Sequence, residues 1–303
     1  MAQAPQIVLI TGATAGIGRH AALHLARRGH RVFASGRRPE ALAKLAADAA
    51  REGVKLETVV LDVTDAGSIA AAARVVEAAT GGAGPDVLVN NAGYGQMGPL
   101  ELVSDADLRK QFETNVFGLH ATTLAFLPGM RRKGGGRIIN VSSVGGRFTF
   151  PLGGAYHATK YAVEAMSDAL RIEVAPFGID VVVVEPGAIL TEFSERAMDT
   201  AAPYADDRSP YAPFTAKAQA LKTRVDKMSA GPEVIARVLE RAIESRRPRA
   251  RYVAPFSAKL MLGVLGRLPT RFVDWMFLRS FKLSRGSARA VAAPPASPSA
   301  RAA

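Results

Sequence analysis

In the stretch GAYHATKYAVEAM, Tyr156 stands four residues ahead of Lys160 within a run of helix-forming Ala, Val, Glu and Met. On a helix, residues four apart share one face, so the phenol and the ammonium point the same way. A phenol ordinarily titrates near 10, too high for ready proton exchange at neutral pH, and a cation one turn away stabilises its phenolate. The pair is either a coincidence of packing or part of a proton-transfer site.

A second group of residues is suited to holding phosphate. TGATAGIG, Thr11 to Gly18, follows an apolar run and leads into a helical pattern, with Gly12, Gly16 and Gly18 spaced GxxxGxG rather than GxGxxG. Glycine lets the backbone turn sharply and approach a pyrophosphate, while the following helix offers free N–H groups and the positive end of its dipole. A tight turn without a ligand is the other reading. The next apolar run ends in ASGRRPE, whose tip carries Arg37 and Arg38 and no carboxylate. An acid there would bind the ribose hydroxyls of NAD, whereas arginine's planar fork suits the 2′-phosphate of NADP. NADP(H) is the expected cofactor, against the plainer reading of two solvated loop arginines.

These residues need a scaffold that brings distant loops together. Short apolar runs rich in Val and Ile (QIVLITG, RVFASG, KLETVVLD, PDVLVNNAG, GRIINVSS, IDVVVVEPG) alternate with helix-length segments. Strands this apolar are buried on both faces, which predicts an α/β chain with a Rossmann-type, doubly wound parallel sheet and ligands at the carboxyl ends of its strands. Helix starts are signalled by SDAD, Ser104 to Asp107, and by Pro39. Residues 1–255 read as one dinucleotide-binding catalytic domain with an insertion at 191–230. Residues 256–285 read as an apolar and basic helical extension, and 286–303 as a disordered tail.

Composition narrows the function classes. The chain has 303 residues, 48% of them hydrophobic, and no cysteine, so disulfides, thiol catalysis and thiolate metal sites are excluded. The five histidines show no metal-ligand spacing, so no metal is expected. MAQAPQIVLITG lacks the pattern of a signal peptide, and no apolar run reaches the roughly 18 residues of a membrane span, which points to the cytoplasm. The net charge is +12, but residues 241–303 hold 13 Lys plus Arg against Glu244 and Asp274, which is +11 and leaves +1 for the rest. That basic region carries no recognisable nucleic-acid motif, and no nucleic-acid partner is expected.

TGATAGIG, LDV at Leu61–Val63, NNAG at Asn90–Gly93, TNVFG around Asn115, NVSS ending at Ser143, YHATK and EPGAILT occur in order, each at a strand end or helix start. Over most of residues 6–255 the chain resembles the short-chain dehydrogenase/reductase family. The resemblance implies that Tyr156 is general acid in carbonyl reduction and base in alcohol oxidation. It makes Lys160 both the tuner of the phenol and a holder of the nicotinamide ribose, and has Ser143, 13 residues before Tyr156, hydrogen-bond the substrate oxygen. Asn115, a poor mid-helix residue, corresponds to the member supporting a water-linked proton relay to the lysine. By the same resemblance Gly12, Thr14, Gly16, Ile17, Gly18, Arg37, Arg38, Asp62, Val63, Asn90, Ala92, Gly93, Pro186, Gly187 and Thr191 contact the cofactor. Asn90 could equally serve the sheet. Glu185 departs from the family, which often has asparagine or another polar residue before that proline.

Tyr94, Val144, Phe148, Phe150, Pro151, Leu152 and Phe193 fall in the loops that line the family's substrate pocket. Tyr94, Phe148 and Phe193, with Ser143 and Tyr156, are the expected substrate contacts. Their apolar character favours a hydrophobic ketone, aldehyde or secondary alcohol, although several could pack into the core. In the extension, Phe272, Val273, Met276, Phe277 and Phe281 fall on one helical side and Arg271, Asp274, Arg279 and Lys282 on the other. The segment 256–283 is therefore a peripheral membrane contact, a substrate lid or a subunit contact. The extension and EPGAILTEF are similar to the branch holding 17β-hydroxysteroid and retinol dehydrogenases. An NADP(H)-dependent oxidoreductase acting on a steroid-, retinoid- or lipid-like substrate, assembled as a homodimer or homotetramer, is the resulting expectation. Its alternative is a protein that senses NADP(H) without turnover.

Overall fold

The structure, a computed structural model, describes residues 4–206 and 209–281. The tail expected to be disordered lies outside the described residues, as do 282–285 of the extension. Seven parallel strands form one sheet in the order β3-β2-β1-β4-β5-β6-β7: β1 Ile7–Ile10, β2 Arg31–Gly36, β3 Glu57–Val60, β4 Val87–Asn90, β5 Gly136–Val141, β6 Ile179–Pro186 and β7 Arg251–Ala254. Strand order reverses between β1 and β4, which opens a crevice at the carboxyl ends for a ligand. This is the Rossmann-type doubly wound sheet expected from the alternation of elements.

Side chains along each strand alternate between two apolar layers. Val8 and Ile10 of β1 pack with α1 (Gly16–Arg27), α2 (Pro39–Arg51) and α9 (Glu233–Glu244). Leu9 between them packs on the other face with α3 (Ala66–Ala79), α5 (Gly118–Lys133) and α6 (Gly154–Val174). Burial on both faces accounts for the continuous apolar runs. Pro39 occupies the first turn of α2, and Ser104 caps α4 (Asp105–Phe112) by accepting from the Asp107 N–H.

Three features depart from or refine the sequence reading. Six strands were expected, and β7 is a seventh; RYVA is four residues long and opens on a charge, so no alternation marks it. The helix carrying Asn115 is interrupted by a π turn, Glu113–Phe117, between α4 and α5. The 191–230 insertion consists of α7 (Glu192–Ala201) and α8 (Ala212–Met228), and a parallel bridge between Ile189 and Ala230 pins its base. Beyond β7, the extension folds as α10 (Phe256–Leu265) and α11 (Thr270–Ser280). Among the described residues no helix is long and apolar enough to cross a membrane.

Candidate active site

Tyr156 and Lys160 lie buried on the first two turns of α6. The Lys160 Nζ is 5.8 Å from the Tyr156 ring centre and donates to the Val141 carbonyl, at the end of β5, at 2.8 Å. Burial pushes the Tyr156 phenol up to about 12, against the downward pull of a hydrogen bond with Ser143. It pushes Lys160 down to about 8, partly offset by the Glu164 carboxylate. The sequence suggested that the lysine sets the tyrosine's acidity; in the structure desolvation dominates both groups. The phenol accordingly stays protonated at neutral pH, ready to donate, beside an ammonium that loses its charge just above it.

Ser143 follows β5, and its Oγ accepts from the Gly145 N–H at 3.0 Å and reaches the Pro186 carbonyl at 3.5 Å. Asn115 is 1% exposed. Its Oδ1 accepts from the Tyr94 N–H at 3.1 Å, and its Nδ2 donates to the Tyr94 carbonyl at 3.0 Å and to Thr159 Oγ1 at 3.1 Å. Thr159 in turn donates to the Tyr156 carbonyl. The π turn aims this amide inward, which is why a residue so poor at helix formation stands there. Asn115 thus ties the loop after β4 to the helix carrying the tyrosine.

At the nucleotide end Gly12 has φ +65°, and a Cβ there would lie 2.8 Å from the Ala92 Cα, so two backbones pass at a distance only glycine allows. Asn91, missed in the sequence, latches this turn: its Nδ2 donates to the Thr11 and Gly12 carbonyls at 2.9 and 3.2 Å. Asn90 instead donates to Thr123 and Asn140, both at 2.9 Å, so its side chain braces α5 and β5. Gly16, Ile17 and Gly18 open α1. Here the Gly16 N–H donates to Glu192 Oε2 at 3.1 Å. A carboxylate held at this helix start shows that its donors suit an anion such as a pyrophosphate. Thr191 lies against Gly16, and Thr14 against Gly36 at the end of β2. Arg37 and Arg38 project exposed beyond it. Burial pushes the Asp62 carboxyl up, but hydrogen bonds from Thr64 and the Arg37 charge outweigh it and hold it below its ordinary value. Val63 packs on Gly118, and Gly93 against Asn115. These residues lie at the carboxyl ends of β1 to β4, where strand order reverses.

Among the residues expected to contact substrate, the Phe193 ring is 5.5 Å from that of Tyr156. Phe148 and Phe150 are 6.3 Å apart, Val144 is buried in the turn after Ser143, and Pro151 and Leu152 complete the loop. Leu152 adopts φ 70°, a conformation costly for a non-glycine residue, and its carbonyl accepts from the Gly98 N–H at 2.8 Å. The loop after β4 is thereby joined to the loop before α6.

The short chain dehydrogenase family model matches residues 6–202. This chain belongs to the short-chain dehydrogenase/reductase family. It is 35% identical over 267 residues to the uncharacterized oxidoreductase YbbO of Escherichia coli, covering 88% of this chain and 92% of that one. It is 33% identical to an NADPH-dependent 3-dehydrocapnine reductase of Ornithobacterium rhinotracheale, covering 90% and 96%. Human retinol dehydrogenase 5 is 37% identical, with 88% and 86% covered. Among solved structures, a short-chain dehydrogenase from Streptomyces avermitilis superposes with a TM-score of 0.72 at 32% identity over 92% of this chain and 98% of the other. One from Burkholderia phymatum in complex with NAD gives 0.75 at 25% identity over 89% and 98%. The chain is an oxidoreductase of this family.

In this short-chain dehydrogenase/reductase two further side chains shape the site. His157, next to the tyrosine, is fully buried, and burial lowers its pKa, so the ring is neutral. Its Nδ1 lies 2.9 Å from the Gly145 carbonyl, its Nε2 faces the Phe150 N–H at 3.5 Å, and Phe150 meets the ring edge-on at 4.3 Å. With Nδ1 as donor and Nε2 as acceptor, it clamps both ends of the loop from Gly145 to Phe150. No spacing rule marks it, since its partners are backbone atoms. Glu185 is 0% exposed and pairs through Oε1 with Arg147 and with Arg251 of β7, both at 3.2 Å. Arg251 also reaches Glu164 at 3.1 Å and Asp168 at 2.6 Å on α6. Burial, then the Glu164 charge, raise the Glu185 pKa despite the two arginines. The departure from asparagine therefore comes with its own counterions, one of them on the unforeseen strand.

Proposed function

We propose that this oxidoreductase uses NADP(H) to interconvert a carbonyl and a secondary alcohol in a hydrophobic substrate of steroid-, retinoid- or lipid-like character. The observation that carries the reading is a buried, protonated phenol flanked by Ser143 and by the Phe193 ring. When bound, the reduced cofactor supplies the hydride to the carbonyl carbon. Tyr156 donates its Oη proton to the carbonyl oxygen, which becomes the alcohol oxygen, and Ser143 Oγ holds that oxygen as charge develops. The Lys160 ammonium stabilises the phenolate left behind, and oxidation runs the same transfers backwards. Arg37 and Arg38, with no carboxylate at the tip of β2, support NADP(H) over NAD, and the name of the NADPH-dependent 3-dehydrocapnine reductase agrees. The aromatic and aliphatic lining supports an apolar substrate. Exposed Phe117, Leu124 and Ile172 on the outer side of the π turn, α5 and α6 support assembly of two or four copies through those helices.

Initial rates of NADPH and NADH oxidation with a steroid 17-ketone, retinal, a medium-chain aldehyde and a small polar ketone test this reading. The expected result is turnover of an apolar member with NADPH preferred, Tyr156→Phe at least about a hundredfold slower, and Arg37→Ala losing the preference. Equal use of NADH would overturn the cofactor assignment. Tight NADPH binding with no turnover in any member, and no change in Tyr156→Phe, would favour a sensor.

A further inference from the structure

We propose that the outer face of α10, together with the exposed aromatic pair of α11, is a docking surface for an anionic lipid bilayer. Ala258 seats α10: it is buried, and a Cβ on Gly187 would lie 2.5 Å from its own. At 3.6 residues per turn, Phe256 and Leu260 fall within about 20° of the direction opposite Ala258. They are 77% and 60% exposed, and Val264, one turn on, is 51% exposed. An apolar stripe with i, i+4, i+8 spacing therefore faces outward from a helix whose inner face is already packed.

The sequence grouped Phe272, Val273, Met276, Phe277 and Phe281 on one side, and the structure divides that group. Phe281 is buried with its ring 5.0 Å from that of Phe214 on α8, and its carbonyl takes the Lys217 ammonium. This end of the extension holds down the substrate-side insertion. Phe272 is exposed with Trp275, their rings 5.5 Å apart, and Arg279 lies 5.7 Å over the indole.

Charge decides what covers the apolar face. Residues 256–281 carry Lys259, Arg267, Arg271 and Arg279 against Asp274, and none of the four cations is in an ion pair among the described residues. Residues 282–303 add Lys282, Arg285, Arg289 and Arg301 and no acid. A two-fold contact between copies would set these cations against one another, whereas subunit contacts deplete charge at their centre and pair opposite signs. A bilayer with anionic headgroups accepts Phe, Leu and Trp at its boundary and cations just above it.

Flotation of the full chain with vesicles, without cofactor or substrate, tests this independently of the reductase reading. Binding is expected to phosphatidylcholine vesicles containing phosphatidylglycerol, weaker binding to phosphatidylcholine alone, and a fall with added salt. Phe256→Ser with Leu260→Ser should lower partitioning at least about tenfold, and Lys259→Gln about fivefold on the anionic vesicles only. Both variants should keep the wild-type circular dichroism and sedimentation. Wild-type protein that fails to float, or a double serine variant that floats as well as wild type, overturns the proposal. So does a double variant that sediments as a smaller species while floating unchanged, which would make the face a contact between copies.

Discussion

The two halves of the site are built differently. The nucleotide half is shaped mainly by backbone: Gly12 passing Ala92 and the N–H groups at the start of α1, with two of its carbonyls latched by the Asn91 side chain. The catalytic half is made of side chains held by partners elsewhere in the chain: Asn115 by Thr159, Lys160 by the Val141 carbonyl at the end of β5, and Glu164 and Glu185 by Arg251. A backbone-built site tolerates little change in shape but much in charge, since its donors are fixed by conformation. A side-chain-built site carries its own electrostatic costs, and these can be titrated.

Breaking the first half should have the largest effect. Gly12→Val adds a β-branched side chain at φ +65° against the Ala92 backbone. Strain and overpacking of about 4 kcal/mol together predict a loss of cofactor affinity of about a thousandfold, measurable by fluorescence titration. Arg37→Ala leaves that backbone intact, so a comparable loss there would sink the contrast.

The second half should respond to pH. Lys160 titrates at about 8 in the folded protein against an ordinary value of 10.5. Between these values the unfolded chain binds more protons, so stability rises with pH across that window, and the contribution is lost as pH falls through about 8. The gain, up to about 3 kcal/mol, should appear as a rise in urea midpoint from pH 8 to 10 in wild type relative to Lys160→Met. Parallel curves would show that the lysine is better solvated than its burial implies.

Arg251→Met should cost about 2 kcal/mol, because Glu185 and Glu164 lose a shared counterion, discounted for the partial exposure of the arginine. Replacing Glu185 with Gln in the same chain should recover part of the loss, as a double-mutant cycle would show. The smallest effect joins the halves. Glu192→Gln removes a carboxylate from the start of α1, where cofactor phosphate would compete with it, and should tighten cofactor binding about threefold.

The same contrast explains what could be read in advance. Apolar runs separated by helical segments determined the doubly wound sheet, because strands buried on both faces leave no other pattern. TGATAGIG, NNAG and the Tyr156–Lys160 spacing were legible because the chemistry they serve needs a particular backbone path or one helix turn. Hidden were the strand RYVA, the clamp made by His157 and the division of the extension into a packed end and an exposed face, while for Asn90 the sequence had left the sheet and the cofactor both open. The strand and the packed end depend on partners far along the chain, since Arg251 finds Glu164 across 87 residues and Phe281 finds Phe214, whereas His157 binds nearby backbone atoms that no side-chain pattern marks. Local spacing carries no record of such pairs, so the burial that lowers the Lys160 pKa and the ion network around Glu164 and Glu185 were decided only when the sheet brought α6, β6 and β7 together.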